Sequence, residues 1–215
     1  MSQIKLMVFD MDGVIVDTEP LHRKAKEQVL VDYGIENDVN LDATVGLPNE
    51  AFWAKIINEY SLMAEPDDLV LLQNNLILSM MEKLGMGLTP GLPELLDELE
   101  SRDIKIGLAS SSRRYFVEKV LNRYGIKNMF TYTVTGDEVE KRKPEPECYK
   151  KVLALAGVEP SEAAAIEDST AGVKAACTAG LLCFGFNNPG SGNQDLSLSH
   201  HKIARLTDVV SFLFG

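Results

Sequence analysis

The feature that most constrains the fold is a regular alternation of short β-rich runs and amphipathic helical runs after residue 91. Predicted strands lie at 104–109, 132–135, 163–166 and 182–186, and predicted helices at 92–102, 113–124, 146–156 and 171–179. A loop at 187–201 and a last helix at 206–213 follow. Such alternation is typical of a parallel sheet covered by helices on both faces. We therefore predict a doubly wound, Rossmann-like α/β core.

A further predicted strand, Ile4 to Phe9, is separated from this alternation by a long helical block. Glu19-Pro20 opens a helical stretch that ends at Gly34, and residues 51–60 and 69–81 carry apolar side chains at helical spacing. Glycine-rich residues 85–91 then form a linker. The block is predicted to be an inserted helical cap, residues 16–83, and the core to consist of residues 1–15 and 84–215.

Charge and composition exclude several classes of partner. The 215 residues contain 21 Lys and Arg against 32 Asp and Glu, a net charge of −11 that repels nucleic acid and anionic membranes. No stretch approaches the roughly 20 apolar residues of a membrane helix. Cys148, Cys177 and Cys183 lack metal-ligand spacing and are predicted to be reduced thiols of a cytoplasmic protein. We expect a monomer that binds neither nucleic acid nor membrane.

Unusual polar side chains follow several of the predicted strands. They are Asp10 and Asp12, then Ser110-Ser111-Ser112, a later loop with Lys143-Pro144, and Glu167-Asp168-Ser169. Ligands of open α/β sheets bind beyond the carboxyl ends of the strands, so these groups are predicted to meet in one crevice. Carboxylates resist sharing a dry site without a cation, and Mg²⁺ prefers such oxygens. An anionic substrate would then be bound by Lys143 and Ser110.

Each motif alone has a simpler explanation. Asp12-Gly13 is a common turn signal, and serines ahead of a helix frequently cap it. Lys143-Pro144 could be a solvated loop, and Glu167-Asp168 the charged start of a helix. The joint order of the motifs at successive strand ends favours the catalytic interpretation.

In this order the motifs resemble those of haloacid dehalogenase superfamily phosphotransferases, in the β-phosphoglucomutase-like branch with a helical cap. The matching segments are DMDGVIVDTEPLH at 10–22, LAS at 108–110, KPEP at 143–146 and IEDSTAG at 166–172. They span almost the whole chain. The first and last are the most specific, and the other two carry weight only in their company.

The resemblance implies an Mg²⁺-dependent mechanism with an aspartyl-phosphate intermediate. Asp10 would be the nucleophile, and Asp12 would act as general acid and then general base. Mg²⁺ would bind Asp10, the backbone carbonyl of Asp12, Glu167 and Asp168, while Ser110 and Lys143 would hold the phosphoryl oxygens. Further candidates for contact with the substrate are Ser111, Arg114, Asn49 and His22, which matches a cap-hinge histidine of the mutases.

Departures from the mutase pattern favour a phosphatase. Mutases of this type carry Lys-Gly-x-x-Arg in the cap, whereas this chain has Val45-Gly46-Leu47-Pro48-Asn49 and no Lys or Arg between Lys55 and Lys83. We predict a phosphatase for small phosphorylated metabolites, especially sugar phosphates, with β-phosphoglucomutase as the alternative. A receiver-like phospho-acceptor domain and a non-catalytic binding protein stay open. The helical insertion and the Glu167-Asp168 pair disfavour the receiver, and the intact catalytic set disfavours the binding protein.

Overall fold

The structure, a computed structural model, describes residues 3–35, 39–41 and 48–215. In chain order its elements are β1 (Leu6–Phe9), α1 (Glu19–Asp32), α2 (Asn49–Tyr60), α3 (Pro66–Lys83), α4 (Leu92–Ser101), β2 (Lys105–Ala109), α5 (Arg114–Arg123), β3 (Tyr132–Val134), α6 (Glu147–Ala156), β4 (Ala163–Glu167), α7 (Thr170–Thr178), β5 (Leu182–Phe186), β6 (His201–Ile203) and α8 (Asp208–Phe214). No helix within these ranges has both the length and the apolar character needed to cross a membrane.

Among the described residues, six strands form one parallel sheet in the order β3-β2-β1-β4-β5-β6. The first strand lies in the middle, with Phe9 beside Leu108 of β2 on one side and Ile166 of β4 on the other. Because all the pairs are parallel, the carboxyl ends of these three strands lie at one edge of the sheet. The predicted α/β fold with a helical insertion is confirmed.

Burial explains why these segments form the centre of the sheet. All four residues of β1 and all five of β4 are buried. Strands covered by helices on both faces are expected to be continuously apolar rather than alternating. Two alanines of β4, Ala163 and Ala165, are small and pack in one core cluster with Val173 and Ala176 of α7. Close packing of this helix on β4 fixes the segment that joins them.

The predicted loop at 187–201 is wrong at its end, because His201 begins strand β6. This strand has three residues, and its pairing partner is β5, with Phe184 opposite His201. So short a segment has no periodicity of its own, and its extended conformation comes from pairing with its neighbour.

The chain divides into two compact units, Met1–Asp17 with Gly87–Gly215, and Thr18–Met86. The second, which we call the helical unit, contains α1, α2 and α3. Its core includes Trp53 and Ile56 of α2 and Leu69 of α3. This unit begins two residues later than the predicted cap, at 18 instead of 16, and ends three residues later, at 86 instead of 83. Val45 to Leu47, on which the departure from the mutase pattern partly rests, lie outside the described residues.

Candidate active site

The carboxyl ends of β1 and β4 bring three buried carboxylates together. Asp10 follows β1, Glu167 ends β4 and Asp168 follows it, and one oxygen from each lies within 4.8 Å of the others. Lys143, from the loop between β3 and α6, places its Nζ 2.5 Å from both Asp10 Oδ1 and Glu167 Oε1. The same ammonium donates to the Ala109 carbonyl at 2.8 Å. Its three protons therefore each have an acceptor.

Burial and charge together set the ionisation of this group. Burial raises the pKa of the Asp10 carboxyl, the nearby Glu167, Asp168 and Asp12 raise it further, and Lys143 opposes them; the net result is well above the ordinary value. Burial alone would lower the pKa of Lys143, but Asp10 and Glu167 outweigh it and raise that pKa, so the lysine stays charged. The group carries more negative than positive charge and would be stabilised by a further cation.

Glu167 is held in place by contacts that the sequence analysis missed. Tyr149 of α6, fully buried, donates from its hydroxyl to Glu167 Oε1 at 2.5 Å. Burial raises the pKa of the Tyr149 phenol well above its ordinary value, as does the neighbouring Glu167, so the hydroxyl keeps its proton. On the other side lies Gly172 of α7, where an added Cβ would overlap the Glu167 carboxylate. The carboxylate therefore has little room to move.

A loop after β5 holds Asp168, and the sequence analysis missed this contact too. Ser191 Oγ donates to Asp168 Oδ2. Asn188, in turn, donates from its side-chain amide to Ser191 Oγ at 2.8 Å and to Asp17 Oδ1 at 3.1 Å. Gly13 packs against the same carboxylate, since its φ is +83° and a Cβ there would overlap Asp168 Oδ2. The DxDG motif thus needs glycine for both backbone conformation and space.

The serine loop after β2 is connected to Asp12. Ser112 Oγ donates to Asp12 Oδ2 at 2.8 Å, and the Ser112 backbone N–H donates to Ser110 Oγ at 3.0 Å. Ser110 is buried, whereas Ser111 is exposed. Sequence analysis singled out the serine run but assigned no role to Ser112, which orients the carboxylate of Asp12.

Arg114, predicted to contact the substrate, contacts β3, the loop after β3 and its own helix α5. Its Nη2 lies 2.5 Å from Glu138 Oε2 and 3.1 Å from the Thr133 carbonyl, and its Nη1 lies 3.7 Å from Glu118 Oε1. The guanidinium is thus paired with two acidic side chains, Glu118 and Glu138. Its contact with the substrate stays a prediction.

His22 and Asn49, the remaining predicted substrate contacts, belong to the helical unit. His22 lies in the first turns of α1 and Asn49 at the start of α2. Both hydrogen-bond to Gln73 of α3, at 3.1 Å and 3.4 Å. Sequence analysis did not identify Gln73, which connects them.

A parallel sheet with a carboxylate–lysine cluster at its carboxyl edge, interrupted in sequence after its first strand by a helical unit, is typical of a class of α/β hydrolases with a helical insertion. A family model of haloacid dehalogenase-like hydrolases matches residues 7–186. The chain belongs to this family, in its β-phosphoglucomutase and CbbY-like branch, and is an enzyme of the haloacid dehalogenase-type hydrolase class. The buried Asp10, Glu167 and Asp168 are consistent with the metal site of such enzymes.

Several relatives are similar to this chain over most of their length. A β-phosphoglucomutase of Bacillus subtilis (strain 168) is 34% identical over 191 residues, which are 85% of this chain and 83% of that protein. A phosphorylated carbohydrates phosphatase of Thermotoga maritima is 31% identical, covering 83% of this chain and 82% of its own. A fructose-1-phosphate phosphatase of Escherichia coli (strain K12) is 32% identical, over 81% of this chain and 92% of that protein.

A solved structure has the same fold. A variant of CbbY from Rhodobacter sphaeroides, in complex with xylulose-(1,5)bisphosphate, superposes with a TM-score of 0.83 at 23% identity. The match covers 94% of this chain and 95% of that one. The helical insertion between the first two strands is therefore part of a shared architecture.

Proposed function

We propose that this protein is an Mg²⁺-dependent phosphomonoesterase for small phosphorylated metabolites, chiefly sugar phosphates, that works through an aspartyl-phosphate intermediate. The observation that carries the proposal is the buried cluster in which Lys143 bridges Asp10 and Glu167. Exposed charges are stabilised by water without a partner. Buried charges, by contrast, persist only where they are paired or bind a further ion.

The residues present fit a hard divalent cation. The cluster offers three carboxyl groups with oxygens within reach of one another, and one ammonium, that of Lys143, is hydrogen-bonded to two of them. Oxygen donors of this kind are the preferred ligands of Mg²⁺. Asp10, Glu167, Asp168 and the backbone carbonyl of Asp12 would hold the ion. When bound, Mg²⁺ would offset the carboxylate charges and polarise a phosphoryl oxygen.

The side chains of the cluster would divide the chemistry between them. A carboxylate oxygen of Asp10 attacks phosphorus, and the leaving alcohol takes a proton from Asp12. Asp12, oriented by Ser112, then removes a proton from the water that hydrolyses the acyl phosphate. Lys143 and Ser110 hold the phosphoryl oxygens. Since the protons of Lys143 are already used, an incoming phosphoryl oxygen replaces one of its present acceptors.

Sugar phosphates are supported by the relatives that act on phosphorylated carbohydrates and fructose 1-phosphate. A phosphatase is favoured over a mutase because Val45 and Asn49 stand where the mutase pattern has Lys and Arg. Each charge-assisted contact with a second phosphate contributes on the order of 1.5–3 kcal/mol, so the loss of two is a large deficit for binding a bisphosphate.

Phosphate release from a panel of hexose, pentose and two-carbon phosphates, with Mg²⁺ or with excess chelator, tests the proposal. We expect release with Mg²⁺ and none with chelator. Asp10→Asn should abolish release in a folded protein, whereas the same change at the exposed Asp32 should leave it intact. Asp12→Asn, given a phosphoryl donor with an activated leaving group, should still be phosphorylated but should hydrolyse the aspartyl-phosphate slowly, so that the intermediate is detectable by mass spectrometry. Full activity in chelator, or near-native turnover of Asp10→Asn, would refute the mechanism.

The alternative function is β-phosphoglucomutase, which is favoured by the 34% identity to the Bacillus subtilis enzyme. The two are separated by incubating the protein with β-glucose 1-phosphate and a catalytic amount of the bisphosphate. A phosphatase releases more inorganic phosphate than it forms glucose 6-phosphate. A product ratio well above one in favour of glucose 6-phosphate identifies the mutase instead.

A further inference from the structure

The three helices of the helical unit meet at one buried amide. Gln73, in the middle of α3, is fully buried, and its side chain contacts Trp53 of α2, His22 of α1 and Asn49 at the start of α2. A buried amide is costly unless both its oxygen and its nitrogen have partners. The chemistry of these partners therefore determines the direction of each hydrogen bond.

Trp53 fixes the orientation of the Gln73 amide. The indole nitrogen can only donate a hydrogen bond, and it lies 2.8 Å from Gln73 Oε1. The oxygen must face Trp53, since the reverse orientation would set two N–H groups against each other. The amide nitrogen consequently faces His22 Nδ1 at 3.1 Å and Asn49 Oδ1 at 3.4 Å.

The fixed amide in turn determines where His22 carries its proton. Gln73 Nε2 has protons and no lone pair to offer, so His22 Nδ1 must accept. A neutral imidazole with an unprotonated Nδ1 has its proton on Nε2. The second amide proton of Gln73 is directed to Asn49 Oδ1, which is an acceptor. A proton on Nδ1 would instead point at the amide N–H.

We propose that Gln73, clamped by Trp53, is a positioning residue that holds His22 in the Nε2–H tautomer. In this state Nε2 of His22 is a hydrogen-bond donor and cannot act as a general base. Such a donor suits an oxygen acceptor, for example a phosphoryl or hydroxyl oxygen of a substrate. This last step rests on the proposed function, whereas the assignment of the tautomer does not.

The tautomer can be read from the imidazole nitrogens of nitrogen-15 histidine-labelled protein. The chain has three histidines, and His22→Gln identifies the resonances of His22. Spectra are recorded at alkaline pH, where imidazole rings are neutral. We expect a protonated Nε2 and an unprotonated, hydrogen-bonded Nδ1. A protonated Nδ1 in the wild-type protein overturns the proposal.

Gln73→Glu is the discriminating variant, because a carboxylate accepts from Trp53 but donates nothing to His22. We expect Nδ1 to become protonated, so the tautomer switches or the ring becomes an imidazolium. An isolated imidazole favours Nε2–H by itself, and the switch therefore separates control by Gln73 from intrinsic preference. If folded Gln73→Glu keeps Nε2–H with an unprotonated Nδ1, the proposal is wrong.

Gln73→Met covers the case in which Gln73→Glu fails to fold. In Gln73→Met, the Nδ1 resonance of His22 should move to the position of an imidazole nitrogen that accepts no hydrogen bond. An unchanged resonance counts against the proposal. The matched control is Gln28→Met, at an exposed glutamine of α1 that donates to Asp32, which should leave the His22 resonances unchanged. A shift in this control equal to that of Gln73→Met would likewise overturn the proposal.

Phosphate release measured on the same preparations keeps the two proposals separate. If the wild-type protein releases phosphate, Gln73→Glu should lower kcat/KM more than Gln28→Met does. If no preparation releases phosphate under any condition, the proposed function fails. The nitrogen-15 spectra then still decide whether Gln73 controls the tautomer of His22.

Discussion

Replacement of Gly172 by alanine would raise the helix propensity of α7 but crowd the side chain of Glu167. Gly172 is the third residue of α7, and its N–H donates to Ser169 Oγ at 3.0 Å. Alanine at an ordinary helical position stabilises a protein by about 1 kcal/mol relative to glycine. Here, however, the added methyl would overlap three atoms of the Glu167 carboxyl group, well inside the roughly 3.5 Å of an ordinary contact.

The cost of this overlap exceeds the gain in propensity. Overpacking costs about 1–3 kcal/mol, and Glu167 cannot escape to solvent because it is fully buried between Tyr149 and Lys143. Moving the carboxylate weakens at least one charge-assisted hydrogen bond, worth about 1.5–3 kcal/mol. We therefore expect Gly172→Ala to lower the free energy of unfolding by about 2 kcal/mol or more, and to impair Mg²⁺-dependent activity.

Urea denaturation followed by far-ultraviolet circular dichroism measures the free energy of unfolding. Phosphate release against Mg²⁺ concentration measures the effect on activity. The control is Gly87→Ala, where an added methyl meets nothing within 4 Å, so its stability should change by no more than about 0.5 kcal/mol. If Gly172→Ala were as stable as the wild-type protein and equally active, the argument that α7 fixes the Glu167 carboxylate would be refuted.

Three further experiments test the contact between Ser191 and Asp168, the metal site and the acid stability of the protein. Ser191→Ala removes the donor to Asp168 Oδ2 and should raise the Mg²⁺ concentration for half-maximal activity about 10- to 100-fold; an unchanged requirement would contradict a role for the loop. Mg²⁺ at 100 times its dissociation constant should stabilise the protein by about 2.7 kcal/mol, seen as a raised Tm that Asp168→Asn abolishes, and no shift would argue against a metal site. The third concerns acid stability. Burial raises the pKa of Asp137, but hydrogen bonds from Thr135 and the Arg114 backbone outweigh it and hold that pKa below the ordinary 3.8. The stability from Asp137 is present above pH 3.8 and is lost as pH falls through the lowered pKa, so Asp137→Asn should lose less stability on acidification than the wild-type protein. Equal losses in urea denaturation series would exclude this contribution.

The sheet and the charged side chains at its edge could be predicted because both leave local signals. Each central strand is a continuous apolar run, and Asp10 and Glu167 interrupt or end such runs abruptly. Parallel pairing then brings these ends together without any knowledge of the loops. Lys143 lies in the loop after β3, and the sequence analysis predicts it as a donor to an anionic substrate, although its motif carries weight only in the company of the others.

The residues that orient the cluster could not be predicted in this way. Asn188 contacts Asp17 across 171 residues of sequence, and Ser191 contacts Asp168 across 23. Both lie in a stretch rich in Gly, Ser and Asn, whose composition predicts a loop and nothing more. Tyr149 lies among the buried residues of α6, where the sequence pattern alone predicts an ordinary core residue. Only the tertiary contacts distinguish these residues from ordinary loop and core residues.

Gln73 is different, because the sequence does contain a signal for it. It lies three residues after Val70 and four before Ile77, both buried, so a helical reading of α3 places a polar amide within an apolar stripe. A buried amide must find partners, and the nearest candidates are polar side chains on the apolar faces of the other helices. The single tryptophan of the chain, Trp53, and His22 satisfy that condition. A polar residue that breaks an amphipathic pattern therefore indicates a buried network from sequence alone, and here that network ends on the histidine whose tautomer Gln73 determines.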